Sequence, residues 1–212
     1  MRRVISIAIV AMACGSAQAQ PLEQLNRGSL LPMLGTISVE VTPNFAGSRL
    51  DGCSIGFRTL TQDWIYKQGA FAAVSGGFGV MTLKGTFAAY LKVTVHDVDP
   101  RTMQFTPSPP ASAYFVAGNT TTKNAIVGSY PSDTPGTIFV VSHVGPTFPV
   151  FSKGLADGKV TIAFAREKDG SDVVVAIDTN VVDTAPSGQR KYSDQISTDF
   201  LKCAQTLLEQ NK

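Results

Sequence analysis

The sequence predicts a mainly β fold, a single-domain β-sandwich or distorted barrel with a C-terminal α-helix packed on the sheet by a disulfide. Three observations lead there. Apolar residues recur at every second position along much of the chain. Glycine and proline interrupt these runs every dozen or so residues, the spacing of short strands in an all-β fold. Only near the end does the apolar period change to that of a helix. The 212 residues are enough for a hydrophobic core, and with 43% hydrophobic and 16% charged residues the composition argues against disorder.

Residues 1–19 read as a signal peptide. Arg2 and Arg3 make a positive start, Val4 to Ala13 is an apolar run, and Ala17-Gln18-Ala19 is a small-x-small cleavage pattern, with the cut before Gln20. The apolar run is too short to cross a bilayer, which takes about 20 residues. The expected location is therefore the periplasm or the medium. Arg2-Arg3-Val4-Ile5 lacks the remainder of a twin-arginine signal. Cys14 offers an alternative as a lipid-attachment cysteine, but Ala11 stands three residues before it where leucine is usual. Removing Arg2 and Arg3 from the 18 basic residues leaves 16 against 16 acidic ones, so the processed chain is neutral. A neutral chain with two histidines is a poor nucleic-acid binder.

Processing also removes Cys14 and leaves Cys53 and Cys203. In an oxidising compartment that pair reads as a structural disulfide, since it lacks both the C-x-x-C spacing of a redox motif and the partners of a zinc site.

Residues 20–34, with Pro21, Gly28 and Pro32, read as a lead-in containing a helical turn, and 35–212 as the β-rich domain. Ile37, Val39 and Val41 alternate with Ser38, Glu40 and Thr42; Pro43-Asn44 and Gly47-Ser48 mark the turn that follows. Cys53, Ile55 and Phe57 share one face of a second strand. Further strands are expected at Trp64 to Lys67, Ala70 to Ser75 and Phe78 to Leu83, separated by glycine. The clearest is Thr86 to Val95, with Phe87, Ala89, Leu91, Val93 and Val95 on one face. Pro107, Pro109 and Pro110 break the chain before strands at Ala113 to Val116, Ala125 to Val127 and Thr137 to Val144, with turns at Tyr130-Pro131 and Thr134-Pro135-Gly136. Lys159 to Ala165 and Asp172 to Thr179 form a hairpin around Asp169-Gly170. The run Lys153-Gly154, Asp157-Gly158-Lys159 and the strand pair to Asp178 resembles the end of proteobacterial invasion-associated locus B proteins, exported β-rich proteins. That resemblance implies an envelope or host-interaction role. It covers about a quarter of the chain without a diagnostic motif, so no family is assigned from it.

Ile196, Phe200, Cys203 and Leu207 are spaced four, three and four apart, one stripe of a helix over 193–210, with Ser193 or Asp194 as its N-cap. Cys203 on that stripe lets the disulfide pin the helix to the sheet.

Candidate chemistry is sparse. His96-Asp97-Val98-Asp99, with His143, carries the groups of a metal-assisted or acid-base hydrolase, but the cluster runs into Pro100 and reads better as a solvated strand end. No G-x-S-x-G nucleophile elbow is present. Ser75-Gly76-Gly77-Phe78-Gly79 lacks a phosphate-loop lysine and reads as a bend or bulge. Asp169-Gly170 reads as a hairpin turn and Asn119-Thr120-Thr121 as a loop. Tyr114, Phe115, Phe139, Phe148 and Phe151 read as core before they read as the lining of a ligand groove. Short strands and a polar helical end argue against an outer-membrane barrel.

The leading expectation is an exported, non-enzymatic β-rich envelope or binding module. It takes no cofactor or metal, has no transmembrane span, and has a protein or envelope partner of unknown identity. The hydrolase built on His96 and a lipid-anchored subunit attached through Cys14 are the alternatives. Intact-mass analysis of the exported protein is expected to show a chain beginning at Gln20; a lipid-sized increment on a chain beginning at Cys14 would replace that reading with the anchored one.

Overall fold

From Gly35 onward the period-two segments become antiparallel ladders in the computed structural model, which describes residues 30–83 and 85–211. Residues 1–19, read above as a signal peptide, lie outside the described residues, among them Cys14 and the cleavage-pattern residues Ala17 and Ala19, as does Gln20. Strands β1 (Gly35–Ala46), β2 (Arg49–Asp63), β3 (Ala70–Leu83), β4 (Thr86–Asp99), β5 (Gln104–Pro107), β8 (Ile126–Pro131) and β9 (Thr137–His143) form one sheet in the order β1-β2-β3-β4-β9-β8, with β5 added to the end of β4. A second sheet runs β11-β10-β6-β7, from β6 (Ser112–Ala117), β7 (Thr120–Thr121), β10 (Lys159–Ala165) and β11 (Val173–Asp178). β12 (Val181–Thr184) and β13 (Arg190–Tyr192) make a separate small hairpin, and helices α1 (Val144–Ala156) and α2 (Gln195–Glu209) complete the described fold. The fold is mainly β, with two sheets sharing one core, as the alternation predicts.

Several strands are longer than the sequence suggests, for identifiable reasons. Pro43 does not end β1 because β1 is an edge strand of its sheet, where a missing N–H need not break a ladder. The turn falls instead at Gly47-Ser48, with Gly47 at φ 65° and Ala46 opposite Arg49. The glycines at 76 and 77 do not divide two strands. β3 runs straight through them, and a Cβ at Gly76 would lie 1.9 Å from the Lys92 carbonyl oxygen, so close strand approach requires glycine there. Tyr130-Pro131 likewise closes β8 rather than forming a turn.

Trp64 to Lys67, expected as a strand, is a turn. The Asp63 carboxylate accepts the backbone N–H groups of Ile65 (3.0 Å) and Tyr66 (2.8 Å), an Asx-type arrangement that competes with a ladder. The lead-in retains its helical turn as a 3-10 turn at Leu31–Met33.

Helix α1 was not expected, because VGPTFPVFSKGLA contains two prolines and two glycines. Pro146 stands in the first turn, where its absent N–H has no helical partner to lose. Pro149 forfeits one bond, to Gly145, at a cost of up to about 3 kcal/mol. Burial of Phe151 and Leu155 returns roughly 1.5–3 kcal/mol each, which outweighs it. Tertiary packing thus overrides propensity.

The core lies on one face of the large sheet. Cys53, Ile55 and Phe57 of β2, Val74, Phe78 and Val80 of β3, and Leu91, Val93 and Val95 of β4 meet Phe115 of β6 and Ile162 and Phe164 of β10. Phe151 of α1 contacts the rings of Phe78 (5.8 Å), Phe115 (5.3 Å) and Phe200 of α2 (6.0 Å), so one ring joins both sheets and both helices. A smaller cluster, Leu30, Met33, Ile37, Leu60, Ala73 and Val98, packs separately at one end of the sheet.

Helix α2 lies within two residues of the expected bounds and buries Ile196, Phe200, Ala204 and Leu207. Cys203 is half-buried at the edge of that stripe, with Ala204 taking the central place. At its start Ser193 Oγ accepts the Gln195 N–H at 3.3 Å, while Asp194 at the cap position makes no capping bond. The Cys53–Cys203 disulfide is formed, with 5.9 Å between Cα atoms and 150 residues of sequence separation. Closing such a loop stabilises by at most about 5 kcal/mol through the unfolded chain's entropy. Cys203→Ser is expected to lower the unfolding free energy in urea by about 2–5 kcal/mol; a loss below 1 kcal/mol would show that apolar packing alone holds α2.

Candidate ligand groove

Because β-strand side chains alternate, the core on one face of the large sheet dictates what the opposite face presents. Its register places Glu40, Gly56, Gly77, Lys92, Phe139 and Tyr130 in one row across β1, β2, β3, β4, β9 and β8. The row on one side is Thr42, Ser54, Gly79, Tyr90 and Val141, and on the other Ser38, Arg58, Ser75, Thr94 and Thr137. Glycines on neighbouring strands leave the middle of this face without side chains. The result is a groove of about 420 Å³, floored by Gly56, Gly76 and Gly77 and walled by Glu40 and Ser38 on one side and by Tyr90, Lys92 and Thr94 on the other.

Tyr90 shapes one end. Its hydroxyl interacts with Ser54 and Asn44, which lie beyond β3, so the side chain reaches across that strand in the row of Gly79, itself a glycine because a Cβ there would lie 1.9 Å from the Cys53 carbonyl oxygen. Burial pushes the phenol above its ordinary pKa, and the bonds to Ser54 and Asn44 partly oppose the shift. Asn44 Nδ2 donates to Ser54 Oγ (3.3 Å), which donates to the Thr42 carbonyl (2.9 Å). The Tyr90 ring also stacks on Phe139, with centroids 5.5 Å apart and 28° between planes.

Two charges in the walls stand out. Among the described residues, neither the Lys92 ammonium nor the Glu40 carboxylate has an ion-pair or side-chain hydrogen-bond partner. Their backbones are three strand spacings apart, about 14 Å, and the Glu40 side chain leans over Gly56, its Oε1 3.5 Å from where a Cβ there would lie. Arg58 Nε donates to Ser38 Oγ at 2.9 Å. A larger hollow of about 590 Å³ lies beside α1, but its Lys153 and Asp157 already pair with each other at 2.8 Å.

The sequence-derived candidates do not assemble. His96 lies opposite Ala73 and His143 opposite Ala88, so eight residues of β4, about 26 Å, separate them. Asp97 belongs to an ion-pair network: its carboxylate meets Arg166 Nη2 at 2.8 Å and Lys67 Nζ at 3.2 Å. Arg166 Nε donates to the fully buried Asp63, and its Nη1 to Ser108. Asp99 holds the turn to β5 by accepting the Arg101 N–H at 2.8 Å, and that bond, with the Thr102 hydroxyl, keeps its carboxyl below the usual carboxylate range. No group of three or more His, Cys, Asp or Glu side chains placed to hold a metal occurs among the described residues.

Asp169 lies in the hairpin turn at φ 59°, and Thr120 and Thr121 form β7. Phe115 and Phe151 are core, and Tyr114 is buried, with its hydroxyl donating to Asp172; burial and that carboxylate push its pKa up to about 12. Phe148 packs against Phe151 at the core margin. Of the five aromatic candidates only Phe139 adjoins the groove. Ser75, Gly76 and Gly77, expected as a bend or bulge, supply part of its floor and rim. The signal that could have revealed them is glycine repeated on one face of a strand, 77 and 79 on β3 and 52 and 56 on β2. Their alignment depends on register, which the sequence does not display.

No protein family, curated protein or solved structure matches the chain in the comparisons made.

Replacing Arg166 by Met would leave the Asp63 carboxylate buried without its cation. It is expected to cost about 3–5 kcal/mol in urea unfolding. Asp63→Asn in the same chain is expected to recover part of that loss, and a single-variant cost below 1 kcal/mol would remove the network from the account of stability.

Proposed function

We propose that the chain is an exported, non-enzymatic binding module whose ligand lies in the groove on the outer face of the large sheet. The observation that carries this reading is a pair of opposite charges, Lys92 and Glu40, that have no partner among the described residues and flank a floor of glycines. Sites set on paired strands are held rigidly, which favours recognition by preorganised contacts. The separation of His96 from His143, and the commitment of Asp97 to Arg166 and Lys67, weigh against the hydrolase alternative. The signal-like N-terminal sequence supports a location in the periplasm or the medium.

Gly77 provides a clean test. A Cβ there meets nothing closer than the Ile55 carbonyl oxygen at 3.4 Å, an ordinary contact, whereas one at Gly79 would lie 1.9 Å from the Cys53 oxygen. Gly77→Val is therefore expected to obstruct the groove and leave the fold intact. In a thermal-shift screen of envelope-derived small molecules, glycans and peptides, compounds that raise the Tm of the wild-type chain are expected to lose at least tenfold in affinity for the variant. Ligands that stabilise both forms equally would move the binding site elsewhere.

A further inference from the structure

We infer that the groove recognises a short oligosaccharide bearing a carboxylate; the inference rests on the binding-module reading above. The first reason is what the floor withholds. Gly56 and Gly77 face each other in the interior of the sheet, between β1 and β4, so their backbone N–H and C=O groups are engaged in ladders. An extended peptide adds to an exposed sheet edge by backbone hydrogen bonds, and an interior floor offers none. A peptide laid here would leave its own amides to water.

The second reason is what the walls supply. Thr42 and Ser75 put hydroxyl groups able to donate and accept on the walls, and the Ser38 hydroxyl, which accepts from Arg58, keeps its proton to donate; Ser54 and Thr94 are buried and already bonded to Thr42 and Thr137. A sugar's hydroxyls have the same dual character and match such a rim, while its C–H face suits a flat floor without side chains and the neighbouring ring of Tyr90. Orientation by a few polar groups around an apolar surface is the usual economy of a small-ligand site.

The third reason is charge. Lys92 has no carboxylate of its own among the described residues. The half-buried Lys92, which lines the groove with Tyr90 and Thr94, supplies an ammonium donor for a ligand carboxylate, and such a charge-assisted bond is stronger than a neutral one. Glu40, on the opposite wall, accepts hydroxyl groups and disfavours a second acid on that side. The ligand class is thus an acidic glycan read by one cation, not a polyanion, which would meet Glu40.

Amide spectra of the ¹⁵N-labelled chain, with its disulfide intact, test this by titration with a cellohexaose carrying a single glucuronate, plain cellohexaose and a neutral Ala-Ser hexapeptide. The singly acidic hexamer is expected to shift the amides of Gly56, Gly77 and Lys92 and to bind at least tenfold more tightly than cellohexaose. Lys92→Met is expected to abolish that difference while the spectrum stays folded. Equal binding of the two sugars to the wild type, or an unchanged preference in Lys92→Met, would overturn the inference. Groove shifts with the hexapeptide and not the sugars would overturn the glycan and leave the binding-module reading standing. Silence at the groove with all three would overturn the glycan as well, and the Gly77→Val screen would then decide the wider reading separately.

Discussion

The fold depends on a contact made by one ring. Phe151 meets Phe78 from the large sheet, Phe115 from the small one and Phe200 from α2, so layers far apart in sequence share one apolar centre. Each of these rings is almost wholly removed from water. α1 has poor helical propensity, and α2 is 15 residues long, a length at which an isolated helix is marginal. Both are stabilised by what they bury. The disulfide acts on the same arrangement from the side, fastening α2 to β2 beside the aromatic cluster.

That one-sided core has a consequence across the sheet. Since every apolar inward residue of β2, β3 and β4 implies an outward neighbour, packing the inner face determines which residues the outer face displays. At one end the outward residues are Leu60 and Ala73, with Val98 of β4 nearby, and the 3-10 turn at Leu31–Met33 covers them. In the middle they are glycines and small hydroxyl residues, and there the groove opens. The glycines do double duty: Gly79 permits close approach of the Cys53 carbonyl on β2, and Gly56 and Gly77 make the floor.

Buried charge is managed at the end of β2. Asp63 is fully buried, yet its two oxygens are occupied by backbone N–H groups of its turn and by Arg166 from the end of β10. The Arg166–Asp97 contact is an ion pair that lacks hydrogen-bond alignment, and Lys67 adds a second cation to Asp97. A network spanning both sheets compensates desolvation that no single pair would offset. It also explains why the aspartate of the His96-Asp97-Val98-Asp99 run is not free for chemistry.

Local pattern was enough for what depends on local pattern. Alternation over Thr86 to Val95, the hairpin around Asp169-Gly170, the helical stripe from Ile196 to Leu207 and the pairing of two remaining cysteines were legible without a structure, because each follows from backbone period or from arithmetic. Helix α1 was not, since burial of Phe151 and Leu155 overruled its prolines and glycines. The groove was not either. Its residues come from strands β1, β2, β3 and β4, and a register shift of one residue would turn Gly56, Gly77 and Lys92 to the other face. The sequence by itself determined a mainly β chain with one disulfide and a terminal helix. Tertiary structure decided which glycines lie side by side and which charges face each other, because strand pairing brings together residues whose proximity no local period encodes.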